Sequence, residues 1–482
     1  MKKSTKTIMH CAIALALGLL VGLGLQNVGN GLTTIGAHTL GVMVATIYLW
    51  LTVGTDWPSL LFMAMLIMTG AMTDDDVWAG SMGHYSVITM IVFMILNYCL
   101  MQSGVIDKIC SWFITRKMVR NRPKVFLFMF FASMMIIGLF MENLSLAVIY
   151  VGIAEVLCQK IGVKKGDTFY TCMFLGVIWV DCIISIASPI AHAPCLILMG
   201  MMESQLGITV TYGQWLALGI PFAIIMLFVM LLAITIWRPD TTAYRNYDIE
   251  AEKAASKAKP LSLRGKLSAL IFVLAILLIL VPELVSGIFP NFSEYWTTCD
   301  VVVPAILAVA ALCIIHVDGE PLVDIKGALK NLPMGAIIFA GVVCLMSTPI
   351  NSDVTGISTW LSNVLQPIFA GLPAYVIVIV LALLALIMTN FVSNVVTMVL
   401  FFNIGVVLLE GGAVNLGMFS MLIGILSSIA CFTPSACAPM PLIFGPGHVT
   451  MKDTFKLNLI FIGITFVVVL AYVIPVAPLI IG

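Results

Sequence analysis

The sequence predicts an all-α polytopic membrane protein with about eleven transmembrane helices and two opposed re-entrant hairpins in an inverted repeat. Of its 482 residues, 61% are hydrophobic and 10% are charged, and the mean hydropathy is +1.13. A water-soluble protein of this length cannot hide so many apolar side chains. Apolar stretches long enough to cross a bilayer recur along the chain, and they lack the strand-like alternation of outer-membrane barrels.

The first apolar stretch, residues 7–26, follows the short basic segment MKKSTK. A cleaved signal peptide has the same shape. The apolar run is long, however, and nothing downstream resembles a secreted domain. We therefore expect an uncleaved first span.

Basic residues fix the predicted topology, because Lys and Arg stay on the cytoplasmic side of a membrane. The 23 Lys and Arg residues fall into six clusters, at 2–6, 108–124, 160–165, 238–266, 326–330 and 452–456. The predicted spans are 7–26, 36–54, 57–71, 85–102, 166–203, 213–237, 265–285, 299–315, 333–349, 414–445 and 455–480. Eleven spans place every cluster in the cytoplasm, the N-terminus inside and the C-terminus outside the inner membrane.

Two apolar segments do not fit a simple crossing. The segment between the clusters at 108–124 and 160–165 has both ends on the cytoplasmic side and carries Glu142, Asn143 and Ser145 at its centre. We expect a hairpin that enters from the cytoplasm and turns at mid-depth. Non-helical backbone at that depth is tolerated where it lines a site or is buried in protein.

The second such segment, residues 373–409, has no Lys or Arg at either flank, so we expect its hairpin to enter from outside. Its centre is polar, with Thr389, Asn390, Ser393, Asn394 and Thr397. The alternative for both segments is an ordinary pair of helices joined by a tight polar turn.

Two spans share a proline pattern that breaks a helix. Residues 189–195 read PIAHAPC and residues 434–440 read PSACAPM. Each break follows a hairpin and precedes one closing span, and the two halves have opposite topology. Paired interrupted helices in matching positions are typical of a transporter binding site near the bilayer midplane.

Two acids mark the first half as the side where a cation or proton binds. Asp181 lies deep inside a span, and Glu142 lies at the first hairpin tip. An acid at mid-membrane depth indicates function by default, although a structural hydrogen bond to a polar neighbour is the alternative. His192 in the first break either binds an anion when protonated, relays a proton or is only a hydrogen-bonded core residue. We expect Glu155, nearer the basic end, to be a surface acid.

These features resemble the divalent anion:sodium symporter family along nearly the whole chain from about residue 36. That family carries Ser-Asn-Thr at each hairpin tip, where this chain has Glu142-Asn143-Leu144 and Ser393-Asn394-Val395. After each broken helix it has a proline and a Thr-Pro-Pro-Asn-like run, matched here by His192-Ala193-Pro194-Cys195 and Cys437-Ala438-Pro439-Met440. The stretch PLIFGPGHVTMKD after the second break is also similar.

The resemblance implies a homodimer in which a scaffold holds a transport domain that moves as an elevator. It assigns residues 1–122 and 265–372 to the scaffold, and 123–237 and 373–482 to the transport domain. Residues 238–264 form a solvated cytoplasmic connector between the halves. The candidate substrate contacts are Asn143, Ser393, Asn394, His192, Pro194, Cys437 and Pro439. The candidate residues for cation or proton coupling are Glu142, Ser145, Asp181, Ser188, Asn390 and Thr433.

The leading prediction is a secondary transporter of small organic anions of the di- or tricarboxylate kind, by cation-coupled symport or by exchange. A cation/proton antiporter is the alternative, because acids inside the membrane outnumber fixed positive charges. A membrane-embedded enzyme or a receptor is disfavoured, since no catalytic constellation, metal-ligand spacing or Walker A loop is present. The twelve cysteines are predicted to act as small buried hydrophobes. We expect no cofactor, with Na+ or H+ as the coupling ion, and no nucleic-acid partner.

Overall fold

The computed structural model describes residues 3–190, 192–258, 260–285, 288–298, 302–369, 371–391, 394–409, 411, 414–433, 436–437, 439–444 and 446–481. Within these ranges the regular structure is helical apart from one minimal hairpin of β1 (His316–Val317) and β2 (Glu320–Pro321). The predicted all-α class is therefore confirmed.

The helices follow the predicted apolar segments closely. The first half contains α1 (Lys3–Gly24), α2 (Thr34–Thr52), α3 (Asp56–Thr69), α4 (Asp74–Gly80), α5 (Tyr85–Gln102), α6 (Val105–Ile114), α7 (Pro123–Gly138), α8 (Asn143–Ile161), α9 (Thr168–Ala187), α10 (Ala193–Leu206) and α11 (Tyr212–Trp237). The second half contains α12 (Ile249–Ala258), α13 (Leu263–Leu284), α14 (Pro290–Thr298), α15 (Val302–Ile314), α16 (Ile325–Lys330), α17 (Met334–Asn351), α18 (Ile357–Phe369), α19 (Ala374–Thr389), α20 (Asn394–Leu409), α21 (Leu416–Ser428), α22 (Met440–Phe444) and α23 (Met451–Ile481).

Six helices of the described chain are each long and apolar enough to cross a membrane, namely α1, α8, α9, α11, α13 and α23. A seventh span results if α5 and α6 are taken together across a bend of 64°. The other predicted spans coincide with shorter apolar helices, or with helix pairs separated by a proline break. The chain is thus a multi-pass membrane protein, and the count of eleven spans stays a prediction.

The helices α7 and α8 fold back on each other as a hairpin. Their turn lies at residues 139–142, and the Ser133 and Tyr150 hydroxyls on either side of it are 2.9 Å apart. The Phe130 ring packs against the same Tyr150 ring, with centroids 5.3 Å apart. The predicted helix–turn–helix is therefore present. Its re-entrant course stays a prediction, and α8 alone has the length of a span.

The two halves are built around equivalent central helices. In the first half α7, α8 and α11 pack on α9, and in the second half α19, α20 and α23 pack on α21. In both halves the packed helices approach closely at a glycine. A Cβ on Gly176 would overlap the ring of Phe131, and a Cβ on Gly405 would overlap the ring of Phe419. The two halves meet where α9 and α10 contact α21 and where α11 contacts α23.

Each proline break leaves a carbonyl without its helical donor, because proline has no N–H to give to the residue four positions earlier. For Pro189 that residue is Ser185, whose carbonyl accepts a hydrogen bond from the Cys195 thiol at 3.3 Å. The equivalent residue before the second break is Ala430, whose carbonyl accepts from the Cys182 thiol at 3.5 Å. These cysteines are thus weak donors as well as buried apolar groups.

The next carbonyl of each broken helix is bonded by the span that closes its half. Trp215 of α11 donates its indole N–H to the Ile186 carbonyl at 2.9 Å. Asn458 of α23 donates its amide to the Cys431 carbonyl at 2.6 Å. Two carbonyl groups at each break are therefore bonded by protein side chains, as a hydrocarbon environment requires.

The remaining helices pack outside the two groups that are centred on α9 and α21. The helix α1 packs along α2, and α3 packs against both α2 and α17. A second group is formed by α5, α13 and α15, and α10 contacts both α5 and α17. The connector is anchored by an ion pair of 2.5 Å between Lys160 on α8 and Glu252 on α12, and the Tyr244 hydroxyl donates to the Val119 carbonyl at 3.0 Å.

Replacing Trp215 with Phe is expected to lower stability, because the buried Ile186 carbonyl loses its donor. The cost of one unsatisfied buried acceptor is about 1–3 kcal/mol. Thermal unfolding in detergent measures it, with Trp78→Phe as the control since the Trp78 side chain is 51% exposed. Equal melting temperatures for the two variants would contradict a supporting role for Trp215.

Candidate functional site

The first break brings His192 against the first hairpin. His192 precedes α10 and is fully buried, with its Nε2 atom 2.6 Å from the Gly138 carbonyl at the end of α7. Because a carbonyl only accepts, Nε2 carries the proton of this bond. The Nδ1 atom is buried without a hydrogen-bond partner among the described residues.

The first hairpin tip contacts the buried acid of α9. The Asn143 amide donates to Asp181 Oδ2 at 3.3 Å, and Asp181 is only 2% exposed. Its other oxygen, Oδ1, is buried without a partner in the part of the chain that the structure describes. An acid in this position needs a proton or a cation, since an unpaired charge in an apolar interior costs several kcal/mol.

Glu142 has a local bonding role that the sequence analysis did not identify. Its carboxyl group accepts hydrogen bonds from the backbone N–H groups of Leu144, at 3.0 Å, and Ser145, at 2.8 Å. It thereby caps the N-terminus of α8, where an acidic group is also favoured by the helix dipole.

Asn390 joins the second hairpin to the second break. Its amide donates to the Leu386 carbonyl at 2.8 Å and to the Ile429 carbonyl at 3.0 Å. Its side-chain oxygen accepts from the backbone N–H groups of Cys431 and Phe432, both at 3.0 Å. Every donor and acceptor of the Asn390 side chain is therefore hydrogen-bonded, because an amide has two N–H donors and one oxygen with two lone pairs.

The two halves touch through cysteines next to Asp181. Cys182 follows Asp181 on α9 and bonds the backbone before the second break. Cys437, within that break, lies near Cys182 and Asp181, close enough for their charges to interact. Side chains of the first tip, of α9 and of the second break thus come together in one buried region.

The other predicted residues are placed as follows. Ser188 is buried and accepts from the Ile190 N–H at 3.2 Å, and Pro194 lies buried in the first turn of α10. Thr433 donates to the Asn390 carbonyl at 2.7 Å. Ser145 and Asn394 lie in the first turns of α8 and α20, and Pro439 is buried. Ser393 lies outside the described residues, as do Pro434 and Ala438 of the second motif.

Three polar residues of this region were missed by the sequence analysis as site candidates. Asn458 links α23 to the break and accepts from the Trp179 indole N–H at 2.9 Å. Thr397 and Ser427 are fully buried, and their hydroxyls lack partners among the described residues. The sequence signal for Asn458 is an amide near the start of a long apolar helix, and it does not reveal which break the residue contacts.

No group of three His, Cys, Asp or Glu side chains in the described ranges is arranged to hold a metal ion. Asp181 Oδ1 and the Thr397 and Ser427 hydroxyls are buried oxygen atoms of this region without a partner among the described residues. This suits Na+ or a proton better than a transition metal, which favours nitrogen or sulfur ligands.

Residues 5–480 match the family model for the transmembrane region of sodium:sulfate symporters. The chain belongs to the sodium:sulfate symporter family. The resemblance seen in the sequence is thereby confirmed, and the chain is a membrane transporter rather than an enzyme.

Two relatives illustrate the similarity. The chain is 23% identical to a sodium-dependent dicarboxylate transporter of Staphylococcus saprophyticus over 363 residues, which are 70% of this chain and 67% of the relative. It is 24% identical to an L-tartrate/succinate antiporter of Escherichia coli K12 over 303 residues, which are 62% of this chain and 58% of the antiporter. The alignment thus spans less than two thirds of the antiporter.

Replacing Asn390 with Asp is expected to destabilise the protein by about 1–3 kcal/mol, because the Leu386 and Ile429 carbonyls lose their donor. Asn415→Asp is the matched control, since Asn415 caps α21 by accepting a hydrogen bond and Asp performs that role equally well. Thermal unfolding with and without sodium distinguishes a structural role of Asn390 from a role in cation binding. A variant with wild-type stability but weaker sodium stabilisation would favour cation binding by Asn390.

Proposed function

We propose that the chain is a secondary active transporter of small carboxylate anions in the cytoplasmic membrane, working by cation-coupled symport or by anion exchange. The names of the two relatives support carboxylates as the group recognised. The observation that carries the proposal is the hydrogen bond from the half-buried Asn143 amide to the buried Asp181 carboxyl group, near Cys437 of the opposite half. The proposed site is polar and is formed by side chains from both halves of the chain.

The charges around this site favour coupling to a cation. No Lys or Arg occurs in residues 125–159, 166–237 or 331–451, which contain both hairpins and both breaks. An anion entering there is met by helix N-termini and neutral donors rather than by fixed positive charge. A co-transported cation at Asp181 supplies the missing charge and lowers the repulsion between Asp181 and the anion.

Movement as an elevator is part of the proposal. Residues 123–237 and 373–482 form the transport domain, and residues 1–122 and 265–372 form the scaffold of a homodimer. The tight packing of α7, α8 and α11 on α9, and of α19, α20 and α23 on α21, supports one transport body built from both halves. The cytoplasmic position of the N-terminus and the outer position of the C-terminus rest on the distribution of basic residues.

Purified protein in proteoliposomes is expected to take up labelled carboxylates when a sodium, proton or counter-anion gradient is imposed. Asp181→Asn should reduce cation-driven uptake at least about tenfold, because a neutral amide neither carries a proton nor balances a cation; tenfold corresponds to ~1.4 kcal/mol. Asp107→Asn, at an exposed acid of α6, is the control. If no gradient drives uptake of any carboxylate, the proposal is wrong.

A cation/proton antiporter is the second candidate, favoured by Asp181, a buried acid that forms no ion pair with a described residue. It predicts sodium movement linked to protons in the absence of any organic anion, and loss of that movement in Asp181→Asn. A fluorescent pH dye inside proteoliposomes measures it. Antiport that persists in the variant would eliminate this candidate.

A further inference from the structure

A basic cavity of about 540 Å³ lies where three helices of the two halves begin or end. Its walls come from the start of α9, the end of α11 and the start of α23. Three of the six basic clusters, at 160–165, 238–266 and 452–456, border these helix ends, which predicts that the cavity faces the cytoplasm. None of its described lining residues belongs to the proposed substrate site, so carriage of the substrate does not account for it.

Two lysines of α23 make the cavity positive. Lys452 and Lys456 both line it and are exposed, and their spacing of four residues puts them on one face of the helix. Asp453 is the acid among the described lining residues. Its Oδ2 atom accepts hydrogen bonds from the Thr450 N–H at 3.1 Å and from the Thr450 hydroxyl at 2.6 Å. The lining thus carries two positive charges against one negative charge that is already hydrogen-bonded.

Two long helices begin beside the cavity and add to its positive potential. The helix α9 has 20 residues and starts at Thr168, and Asp167 before it makes no capping hydrogen bond to it. The Thr168 hydroxyl accepts from the Asp240 N–H at 2.7 Å, so its own hydrogen remains for another acceptor. The helix α23 has 31 residues and starts at Met451. The first N–H groups of a helix lack partners within it, and together with the helix dipole they attract anions such as phosphate.

The rest of the wall is aromatic and apolar. The Trp237 ring lines the cavity, and its Nε1 atom is buried without a hydrogen-bond partner among the described residues. Native interiors rarely leave a buried donor unbonded, so this N–H is available to a group bound in the cavity. Met451 and Phe455 also line the cavity and are exposed. Tryptophan and apolar side chains beside lysines are typical of the interface between membrane and water.

We propose that this basic cavity binds a phosphate group at the cytoplasmic surface, carried by an anionic phospholipid or by a soluble phosphate. Lysines and helix N-termini are both common phosphate ligands, and basic pockets between membrane helices on the cytoplasmic side bind phosphorylated lipid headgroups. The exposed Met451 and Phe455 favour the lipid, whose acyl chains they can contact. A phosphate bonded by α9 and α23 joins helices of opposite halves, and a ligand that binds only the folded protein stabilises that state.

Thermal unfolding in sodium-free detergent micelles tests the cavity with two probes, phosphatidylglycerol and inorganic phosphate. We expect phosphatidylglycerol to raise the melting temperature by about 2 °C or more above its value in phosphatidylcholine, a zwitterionic lipid. In the double variant Lys452→Gln/Lys456→Gln the half-saturating concentration of the effective probe should rise at least about tenfold, because each lysine contributes to the attraction of an anionic headgroup. The matched control is Lys326→Gln/Lys330→Gln, which removes two exposed lysines with the same spacing from α16 and should leave the response unchanged.

The two probes distinguish the sources of the phosphate. Stabilisation by phosphatidylglycerol that requires Lys452 and Lys456 identifies a lipid, and stabilisation by inorganic phosphate that requires them identifies a soluble anion. The inference is overturned if neither probe stabilises the wild-type protein, if the stabilisation is the same in all three proteins, as binding at the substrate site would make it, or if both double variants lose it equally. The proposed function is tested separately by carboxylate uptake, and its failure leaves this inference standing.

Discussion

An interrupted helix inside a bilayer leaves carbonyl groups that water does not reach, and the architecture of this protein depends on how they are bonded. Two successive carbonyls lie at Pro189, and two lie at the equivalent break of the second half, and each is bonded by a side chain. In both halves a cysteine thiol donates a hydrogen bond to the first carbonyl, and a side chain of the closing span donates one to the second. The closing spans α11 and α23 are thereby tied to the breaks, so the site cannot form unless each half is packed around its central helix.

Equivalent backbones carry different chemistry in the two halves. The first tip is capped by a carboxyl group and contacts a buried acid. The second tip has the Asn394 amide, whose oxygen accepts from the Val395 N–H, and is followed by the neutral hydroxyl of Thr397. A duplicated scaffold thus supplies two helix ends of the same geometry, and a few side chains give one a negative and the other a neutral character.

The polar residues near the breaks fall into two groups, those whose polar groups are all hydrogen-bonded and those that keep a buried polar atom without a partner among the described residues. Asn390, Asn458, Trp215 and Thr433 have their polar groups committed to backbone or side-chain partners. Asp181, His192, Thr397 and Ser427 each keep a buried polar atom without a partner in the described residues. Native interiors rarely leave such atoms unbonded, and a bound substrate or ion is a common reason for the exceptions.

The sequence by itself determined the class of protein, the helix positions, both hairpins and both breaks, because hydropathy, basic residues and prolines act locally along the chain. It also placed Asp181 at depth. The Glu142 cap is a local bond that an acid before a helix also predicts. Only the tertiary structure decided that Asn143 reaches Asp181 and that the Asn390 side chain has no polar group left for an ion. A hydrogen bond between residues 38 or more positions apart depends on how helices pack, and helix packing is not encoded in any local pattern.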